Sequence, residues 1–272
     1  MYGRIFSTLI LWAIAAAAII FGKTAGWAVL IFLLSAGTLW EVCAILEKLG
    51  KKPLRNVLQI SNLAVFIGAY LGGAAGAALA CSLCAGAIAV SILKAPYGEY
   101  AQKTALPSIL ALACVPLSLQ WLVSAGQGFG GEYACALIGL WAAITAKFSD
   151  IGAYVMGAAF GRHKMSPEIS PNKTWEGAVC GVLSSAIISA VIFGFARAVM
   201  PAQISLLEAA IAGAVLGAVA IVSDLLESAF KRRAGVKDSG AVIPGIGGAL
   251  DLSDSLLLAS PAAALLLILM SI

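Results

Sequence analysis

The sequence predicts an all-α, polytopic integral membrane protein with about nine transmembrane helices. Of its 272 residues, 61% are hydrophobic and 11% are charged, and the mean hydropathy is +1.00. In soluble chains, roughly 45–50% of the residues are hydrophobic and about 25% are charged. Apolar stretches of about 20 residues, the length that a spanning helix requires, recur along the chain. These stretches are continuous rather than alternating, which favours helices over a barrel in a lipid environment.

Short polar breaks separate the apolar stretches and define the order of the predicted spans. The spans are 5–22, 25–46, 57–72, 74–93, 104–125, 133–149, 176–199, 206–226 and 255–272. The first contains alanine-rich sites that a signal peptidase accepts, but the spans that follow favour an uncleaved first helix. The segment 150–175 is too polar to span, and we expect it to lie at the inner interface or to dip into the bundle.

The basic residues predict the orientation, because they are retained on the cytoplasmic side of short loops. With the N-terminus inside, all of the 17 lysines and arginines except Lys23 and Arg197 fall on the cytoplasmic side. We therefore expect a multi-pass protein of the inner (plasma) membrane with its active face toward the cytoplasm. The net charge of +4 follows from this rule and from attraction to anionic lipids, so it indicates no nucleic-acid partner.

Glycine spacing predicts close helix packing. Gly68, Gly72 and Gly76 form two overlapping GxxxG spacings, and Gly213 and Gly217 form another. Such spacings allow helix backbones to approach closely in a membrane.

Acidic residues are concentrated in the C-terminal half, where nine of the 13 lie from Asp150 onward. Ionisable groups in spans are costly and suggest a functional site, although charged helix ends that reach water are the alternative. Carboxylates hold Mg²⁺ and lysines or arginines neutralise phosphates, so acid and base at one face suit a metal–triphosphate substrate. We therefore place the catalytic transmembrane region in 133–272, with 1–132 as N-terminal transmembrane helices.

The stretch from Ser170 to Gly177 predicts an anion site. Ser170 followed by Pro171 suggests a capped helix start with Lys173, Thr174 and Glu176 in the first turn. Free amides there, together with the lysine, would bind an anion. An ordinary capped helix near the membrane surface is the alternative.

A second stretch, residues 228–254, predicts a divalent-cation site. Its glycines at 245, 247 and 248 permit close approach of the backbone to a ligand. Asp251 and Asp254 are three residues apart, so in one helix they share a face, and Asp238 is nearby in sequence. Capping alone would need only one of them, although it remains the alternative.

The run from Ser228 to Asp254 resembles the signature of the phosphatidate cytidylyltransferase family. The matching positions are Ser228, Phe230, Lys231, Arg232, Lys237, Asp238, Gly240, Ile243, Pro244, Gly247, Gly248, Asp251 and Asp254. The stretch from Ser170 to Gly177 is similar to the family's second hallmark. The chain departs from the pattern at three positions. Ile246 stands where the family has histidine, Ala249 is the residue at the apolar position after the two glycines, and Leu252, followed by Ser253, stands where the family has arginine.

The resemblance implies transfer of CMP from CTP to phosphatidic acid, giving CDP-diacylglycerol and pyrophosphate for phospholipid biosynthesis. It implies Mg²⁺ as cofactor and CTP, phosphatidic acid and membrane lipids as partners, and leaves a homodimer possible. The implied catalytic residues are Lys237, Asp238, Asp251 and Asp254; the metal ligands are Asp224, Asp238, Asp251 and Asp254; the substrate-binding residues are Ser170, Asn172, Lys173, Thr174, Glu176, Lys231, Arg232, Gly247 and Gly248.

Two other readings stay open. A related membrane cytidylyltransferase or lipid kinase acting on another lipid would keep the metal cluster and change the lipid pocket. A secondary transporter would also place charges in the membrane, but we would then expect inverted repeats, and none is visible.

Overall fold

The computed structural model describes residues 2–94, 98–129, 131–197, 200, 203–241, 245 and 247–271. Within these ranges the chain is mainly helical, with one small β-hairpin. The helices are α1 (Tyr2–Lys48), α2 (Arg55–Ser91), α3 (Leu106–Cys114), α4 (Pro116–Leu119), α5 (Trp121–Ser124), α6 (Ala134–Phe160), α7 (Trp175–Phe195), α8 (Leu206–Arg233), α9 (Ala249–Ser253) and α10 (Leu256–Ser271). The strands are β1 (Lys164–Ser166) and β2 (Ser170–Thr174).

Seven helical stretches of the described chain are long and apolar enough to cross a bilayer. They are Ser7–Lys48, Arg55–Ser91, Ala101–Ser124, Ala134–Phe160, Trp175–Phe195, Leu206–Arg233 and Ala249–Met270. The predicted class of all-α membrane protein is therefore confirmed.

The two longest helices, α1 and α2, each contain one residue with non-helical dihedral angles. These residues are Lys23, with φ 52°, and Gly73, with φ 61°. Residues eight apart in a straight helix are separated by about 12 Å. Yet a Cβ atom at Gly68 would lie 2.5 Å from the carbonyl oxygen of Gly76. The chain thus folds back on itself within α2, and both breaks fall between predicted spans.

The chain divides into two compact units. The first comprises Met1–Ser124 and Arg233–Ser253, and the second comprises Ala125–Arg232 and Asp254–Ile272. The described residues between 233 and 253 belong to the same unit as the N-terminal helices, although they lie in the C-terminal half of the sequence. The division into N-terminal helices and a catalytic region after residue 132 stays a prediction.

Polar contacts within the first unit attach neighbouring helices to α1. The indole nitrogen of Trp27 donates to the carbonyl oxygen of Leu122 at 2.8 Å, and the Ser35 hydroxyl donates to Asn62 Oδ1 at 2.8 Å. Gly37 allows close approach of α9, because a Cβ there would lie 2.9 Å from that of Ala249. Helix α1 therefore supports the short helix α9.

Small residues let the helices of the second unit pack closely. A Cβ at Gly213 would lie 2.4 Å from the carbonyl oxygen of Ser185, and one at Gly217 would lie 2.7 Å from the Ser185 side chain. The Ser149 hydroxyl of α6 donates to the Gly217 carbonyl at 3.0 Å. The interpretation of the Gly213 and Gly217 spacing as a packing motif is confirmed.

The end predicted for the sixth span, residue 149, is wrong. Helix α6 continues through Asp150 to Phe160. The charge does not end the helix, because Lys147 lies one turn earlier and its Nζ is 3.7 Å from Asp150 Oδ2. The polar segment that we expected after residue 149 is thus shortened to the β-hairpin and its flanks.

Candidate functional site

The predicted helix start at Ser170 is wrong, because Ser170 begins strand β2. This strand pairs antiparallel with β1, and Ser170 lies opposite Ser166. Helix α7 instead begins at Trp175, with Thr174 as its N-cap. The Thr174 hydroxyl accepts a hydrogen bond from the Gly177 amide at 3.2 Å, as threonine commonly does at this position. Lys173 therefore lies on a strand rather than in a helical turn.

Glu176 joins the first turn of α7 to the loop after α6. Its carboxylate accepts hydrogen bonds from the amides of Arg162 and His163 at 3.1 and 3.2 Å. The His163 ring nitrogen Nδ1 lies 2.6 Å from Glu176 Oε1. These contacts fix the loop between α6 and β1, and a role of Glu176 toward substrate stays a prediction.

A cavity of about 200 Å³ lies within the second unit. Residues from α6, β2, α7 and α8 line it. The polar lining residues are Asp150, Tyr154, Asn172, Lys173, Thr174 and Asp224. Three predicted substrate-binding residues and one predicted metal ligand thus come together here.

Three aspartates and two lysines form what we call the acid–lysine cluster: Lys147, Asp150, Lys173, Asp224 and Asp254. Lys173 Nζ lies 2.6 Å from Asp224 Oδ2, and Lys147 Nζ lies 2.7 Å from Asp254 Oδ1. Lys147 Nζ also lies 3.7 Å from Asp150 Oδ2, and Asp150 lines the same cavity as Lys173 and Asp224. Two lysines against three aspartates leave a net charge of −1 when all are ionised.

We predicted that Asp251 and Asp254 lie on one continuous helix. Asp254 lies instead at a break between two helices. Helix α9 ends at Ser253, and α10 begins at Leu256. The Ser223 hydroxyl donates to the Asp254 carbonyl and accepts from the Leu258 amide at 3.3 Å. A hydroxyl inserted between these two groups replaces their helical hydrogen bond and interrupts the helix.

Two carboxylates organise the chain around α9 in the first unit, and we call this the Glu41 cluster: Glu41, Ser239, Gly248, Ala249, Leu250 and Asp251. The buried Glu41 carboxylate accepts from the amides of Ala249 and Leu250 at 3.0 and 2.9 Å and from the Ser239 hydroxyl at 2.6 Å. Asp251 Oδ2 accepts from the Gly248 amide at 2.7 Å. Glu41 thus caps α9 from a distant position in the sequence.

The carboxylates of Asp251 and Glu41 lie so close to the backbone at Gly247 and Gly248 that there is no space for a Cβ atom at either position. Gly247 has φ 123°, and a Cβ there would lie 2.4 Å from Asp251 Oδ2. A Cβ at Gly248 would lie 2.2 Å from Glu41 Oε2. The close approach that the glycines permit is therefore to carboxylates of the chain itself, and their binding of substrate stays a prediction.

The other predicted site residues lie on or after the end of α8. The Lys231 ammonium is 2.8 Å from Glu227 Oε1, and Arg232 Nε donates to the Ile169 carbonyl at 3.4 Å. Lys237 and Asp238 are exposed. The departure from the family pattern at Leu252 lies within α9. The signature positions Ile243 and Pro244 and the departure at Ile246 lie outside the described residues.

The donor chemistry of the acid–lysine cluster fits Mg²⁺. Magnesium prefers carboxylate oxygens, and it usually binds through one or two of them together with substrate phosphates and water. Among the described residues there is no group of three or more histidine, cysteine or acidic side chains placed to hold an ion by themselves. A site completed by phosphates is compatible with both observations.

Two features were not assigned from the sequence. We counted Lys147 only as a cytoplasmic charge, although a lysine three residues before an aspartate in an apolar span suggests an ion pair. From the sequence, Glu41 near the inner end of the second predicted span is equally compatible with a residue that lines the cavity and with a carboxylate that reaches water or is paired at a helix end. Its partners lie about 200 positions away, so no local pattern reveals them.

An all-α membrane protein with paired acidic and basic groups beside a cavity is the class that the fold and the site define. A profile of the Cytidylyltransferase family matches residues 2–270. The chain therefore belongs to the Cytidylyltransferase family.

Similar proteins include several bacterial phosphatidate cytidylyltransferases. The one from Staphylococcus haemolyticus is 34% identical over 205 residues, which cover 67% of this chain and 77% of that protein. The one from Pseudomonas aeruginosa is 43% identical over 119 residues, covering 44% and 43%. The one from Haemophilus influenzae is 39% identical over 113 residues, covering 42% and 39%. The chain thus spans less than half the length of the latter two relatives.

Proposed function

We propose that this chain is a phosphatidate cytidylyltransferase, which transfers CMP from CTP to phosphatidic acid and gives CDP-diacylglycerol and pyrophosphate. Family membership and the names of its relatives support this proposal. The structural observation that carries it is the cavity of the second unit, whose wall brings Lys173 and Asp224 together. An ammonium and a carboxylate at the wall of a cavity suit a nucleotide that carries its own cation.

The reaction requires positioning more than proton transfer. A phosphate oxygen of phosphatidic acid attacks the α-phosphorus of CTP, and the bond from that phosphorus to the oxygen bridging the β-phosphate breaks. A phosphate monoester has a second pKa of about 6 and is largely dianionic at neutral pH, so no general base is needed. The protein then contributes orientation and charge neutralisation.

We assign Lys173 to the triphosphate. In the structure its ammonium neutralises Asp224, and phosphate oxygens are equivalent partners for it. Further phosphate contacts are proposed for the family-signature residues Lys231, Arg232 and Lys237. Ser170, Asn172, Thr174 and Glu176 are proposed to shape the nucleotide site, and Gly247 and Gly248 are proposed to contact the substrate.

Mg²⁺ is the proposed cofactor. When bound, it would supply neutralisation of the triphosphate charge. Asp224 and Asp254, each of which is paired with a lysine of the acid–lysine cluster, would hold it. Asp238 and Asp251 remain proposed as further ligands.

The proposed topology has nine spans, because the breaks at Lys23 and Gly73 divide α1 and α2 into two crossings each. The distribution of basic residues supports the proposal that the active face is cytoplasmic and that the protein lies in the inner membrane. In a variant whose six cysteines are replaced, single cysteines at Lys52 and Gly235 should be labelled from the cytoplasm, and one at Gly128 from outside. Labelling of 52 and 235 from opposite sides would contradict the topology.

The acyl chains of phosphatidic acid are proposed to enter from the bilayer. A homodimer is also proposed, and cross-linking in membranes would detect it.

The defining experiment uses purified protein in detergent with CTP and phosphatidic acid, with and without Mg²⁺. We expect CDP-diacylglycerol and equimolar pyrophosphate only with the metal. Transfer to another lipid alone, transfer of the γ-phosphate, or no turnover of CTP would favour the related transferase, the lipid kinase or the transporter, respectively.

A further inference from the structure

Lys147 carries a fixed positive charge within an apolar helix. It lies in α6, 24% of its side chain is exposed, and its ammonium contacts Asp254 Oδ1 at 2.7 Å and Asp150 Oδ2 at 3.7 Å. A lysine within a membrane span is costly and marks a functional group when it faces other charges.

The lysine acts on one oxygen of Asp254. Oδ1 accepts from both Lys147 Nζ and the Ser255 amide. Within the part of the chain that the structure describes, no hydrogen bond or ion pair engages Oδ2 of Asp254. Lys147 therefore fixes the carboxylate through one oxygen and leaves the other available to a ligand.

We propose that Lys147 is a positioning residue whose ammonium group neutralises part of the charge of Asp150 and Asp254. As a consequence, a divalent cation binds the acid–lysine cluster firmly only together with the nucleotide. With Lys147 present and all five groups ionised, the cluster has a net charge of −1. Without it the charge is −2, and two carboxylates lose the ammonium that they share. This inference rests on the proposed function for its catalytic meaning, but the affinity for a cation can be measured without turnover.

The test measures Mn²⁺ binding by electron paramagnetic resonance on the full-length protein in detergent, without CTP or lipid. Lys147→Met should bind Mn²⁺ more tightly than the wild type by on the order of tenfold. Lys147→Arg, which keeps the charge, should bind it as the wild type does. Lys52→Met removes an exposed positive charge of the first unit and should also leave the affinity unchanged. Wild-type Mn²⁺ affinity in Lys147→Met would overturn the proposal.

A charge-balanced pair of variants keeps the test decisive if Lys147→Met does not fold. Asp150→Asn has a cluster charge of 0, and Lys147→Met/Asp150→Asn has a cluster charge of −1. The double variant should bind Mn²⁺ on the order of tenfold more tightly than Asp150→Asn alone. Equal affinities in these two variants would also overturn the proposal.

Turnover supplies the second readout. CDP-diacylglycerol formation should fall on the order of tenfold in Lys147→Met and be retained in Lys147→Arg, because Asp254 loses its orientation only in the former. Full turnover in Lys147→Met would overturn the positioning role. If the wild-type protein forms no CDP-diacylglycerol, the proposed function fails, whereas the Mn²⁺ measurements still report on Lys147.

Discussion

The Glu41 cluster of the first unit and the acid–lysine cluster of the second unit use carboxylates in different ways. In the first, N–H and O–H groups of residues 239–250 satisfy Glu41 and Asp251. In the second, ammonium groups satisfy Asp224 and Asp254. Backbone amides cannot leave their acceptor without unfolding the chain, whereas a lysine side chain can exchange a carboxylate for a phosphate oxygen. The first arrangement is therefore suited to holding a structure, and the second to binding an ionic substrate.

The largest expected effect separates the two clusters through a matched pair of aspartates. Asp254→Asn should reduce CDP-diacylglycerol formation on the order of 100-fold, because it removes a charge that is proposed to hold Mg²⁺. The free energy of unfolding should change by no more than about 1 kcal/mol, because Lys147 keeps Asp150 as a partner. Turnover measured across a Mg²⁺ titration, together with thermal unfolding in detergent, checks both values.

Asp251→Asn is the comparison for that variant. The Gly248 amide and the two donors of Ser239 all converge on Oδ2 of Asp251, and the neutral oxygen of asparagine is a weaker acceptor than a carboxylate oxygen. We therefore expect lower turnover together with a loss of about 1–3 kcal/mol in stability. Identical stability and turnover profiles for the two asparagine variants would remove the distinction between the clusters.

Lys173 tests whether the ammonium groups of the second cluster exchange partners. Because Lys173 is half-buried and paired with Asp224, its replacement also leaves a carboxylate without its cation. Lys173→Met should raise the KM for CTP on the order of tenfold. Steady-state kinetics at varied CTP measure this change, and Lys164→Met, on the exposed start of β1, is the control. An unchanged KM would leave Lys173 as a structural partner of Asp224 only.

Glu41 tests the structural role of the first cluster. Glu41→Gln replaces one acceptor oxygen by an NH₂ group facing other donors, and the stability should fall by about 1–3 kcal/mol. Thermal unfolding in detergent checks this value. Glu47 lies in the same helix as Glu41 and forms an exposed ion pair with Arg55 of α2. Glu47→Gln should change the stability by less than about 0.5 kcal/mol. Equal effects in the two variants would argue against capping by Glu41.

The smallest expected effect concerns the N-cap of α7. Thr174→Ala removes the hydroxyl that accepts from the Gly177 amide and should lower stability by about 1 kcal/mol. Thr174→Ser, which keeps the hydroxyl, should restore most of it. The comparison is made by thermal unfolding, and an alanine variant as stable as the wild type would exclude capping by Thr174.

The sequence by itself determined the membrane class. The boundary between the first and second predicted spans coincides with the break at Lys23, and the boundary between the third and fourth coincides with the break at Gly73. Both results depend on apolar length, which is a local property. The spacing from Ser228 to Asp254 likewise indicated the family, because the signature lies in one continuous segment. The prediction of a helix start at Ser170 was wrong because a serine followed by a proline is also compatible with a short hairpin strand.

Only the tertiary structure decided which donor each carboxylate accepts. Lys147 and Asp254 are 107 positions apart, and Glu41 and Leu250 are 209 apart. The helix break at Asp254 depends in the same way on Ser223, 31 positions earlier. A carboxylate accepts amides, hydroxyls and ammonium groups alike, so its sequence neighbours do not reveal its partner. The fold brings particular donors within hydrogen-bonding distance, and this separates the capping carboxylates from those paired with lysine.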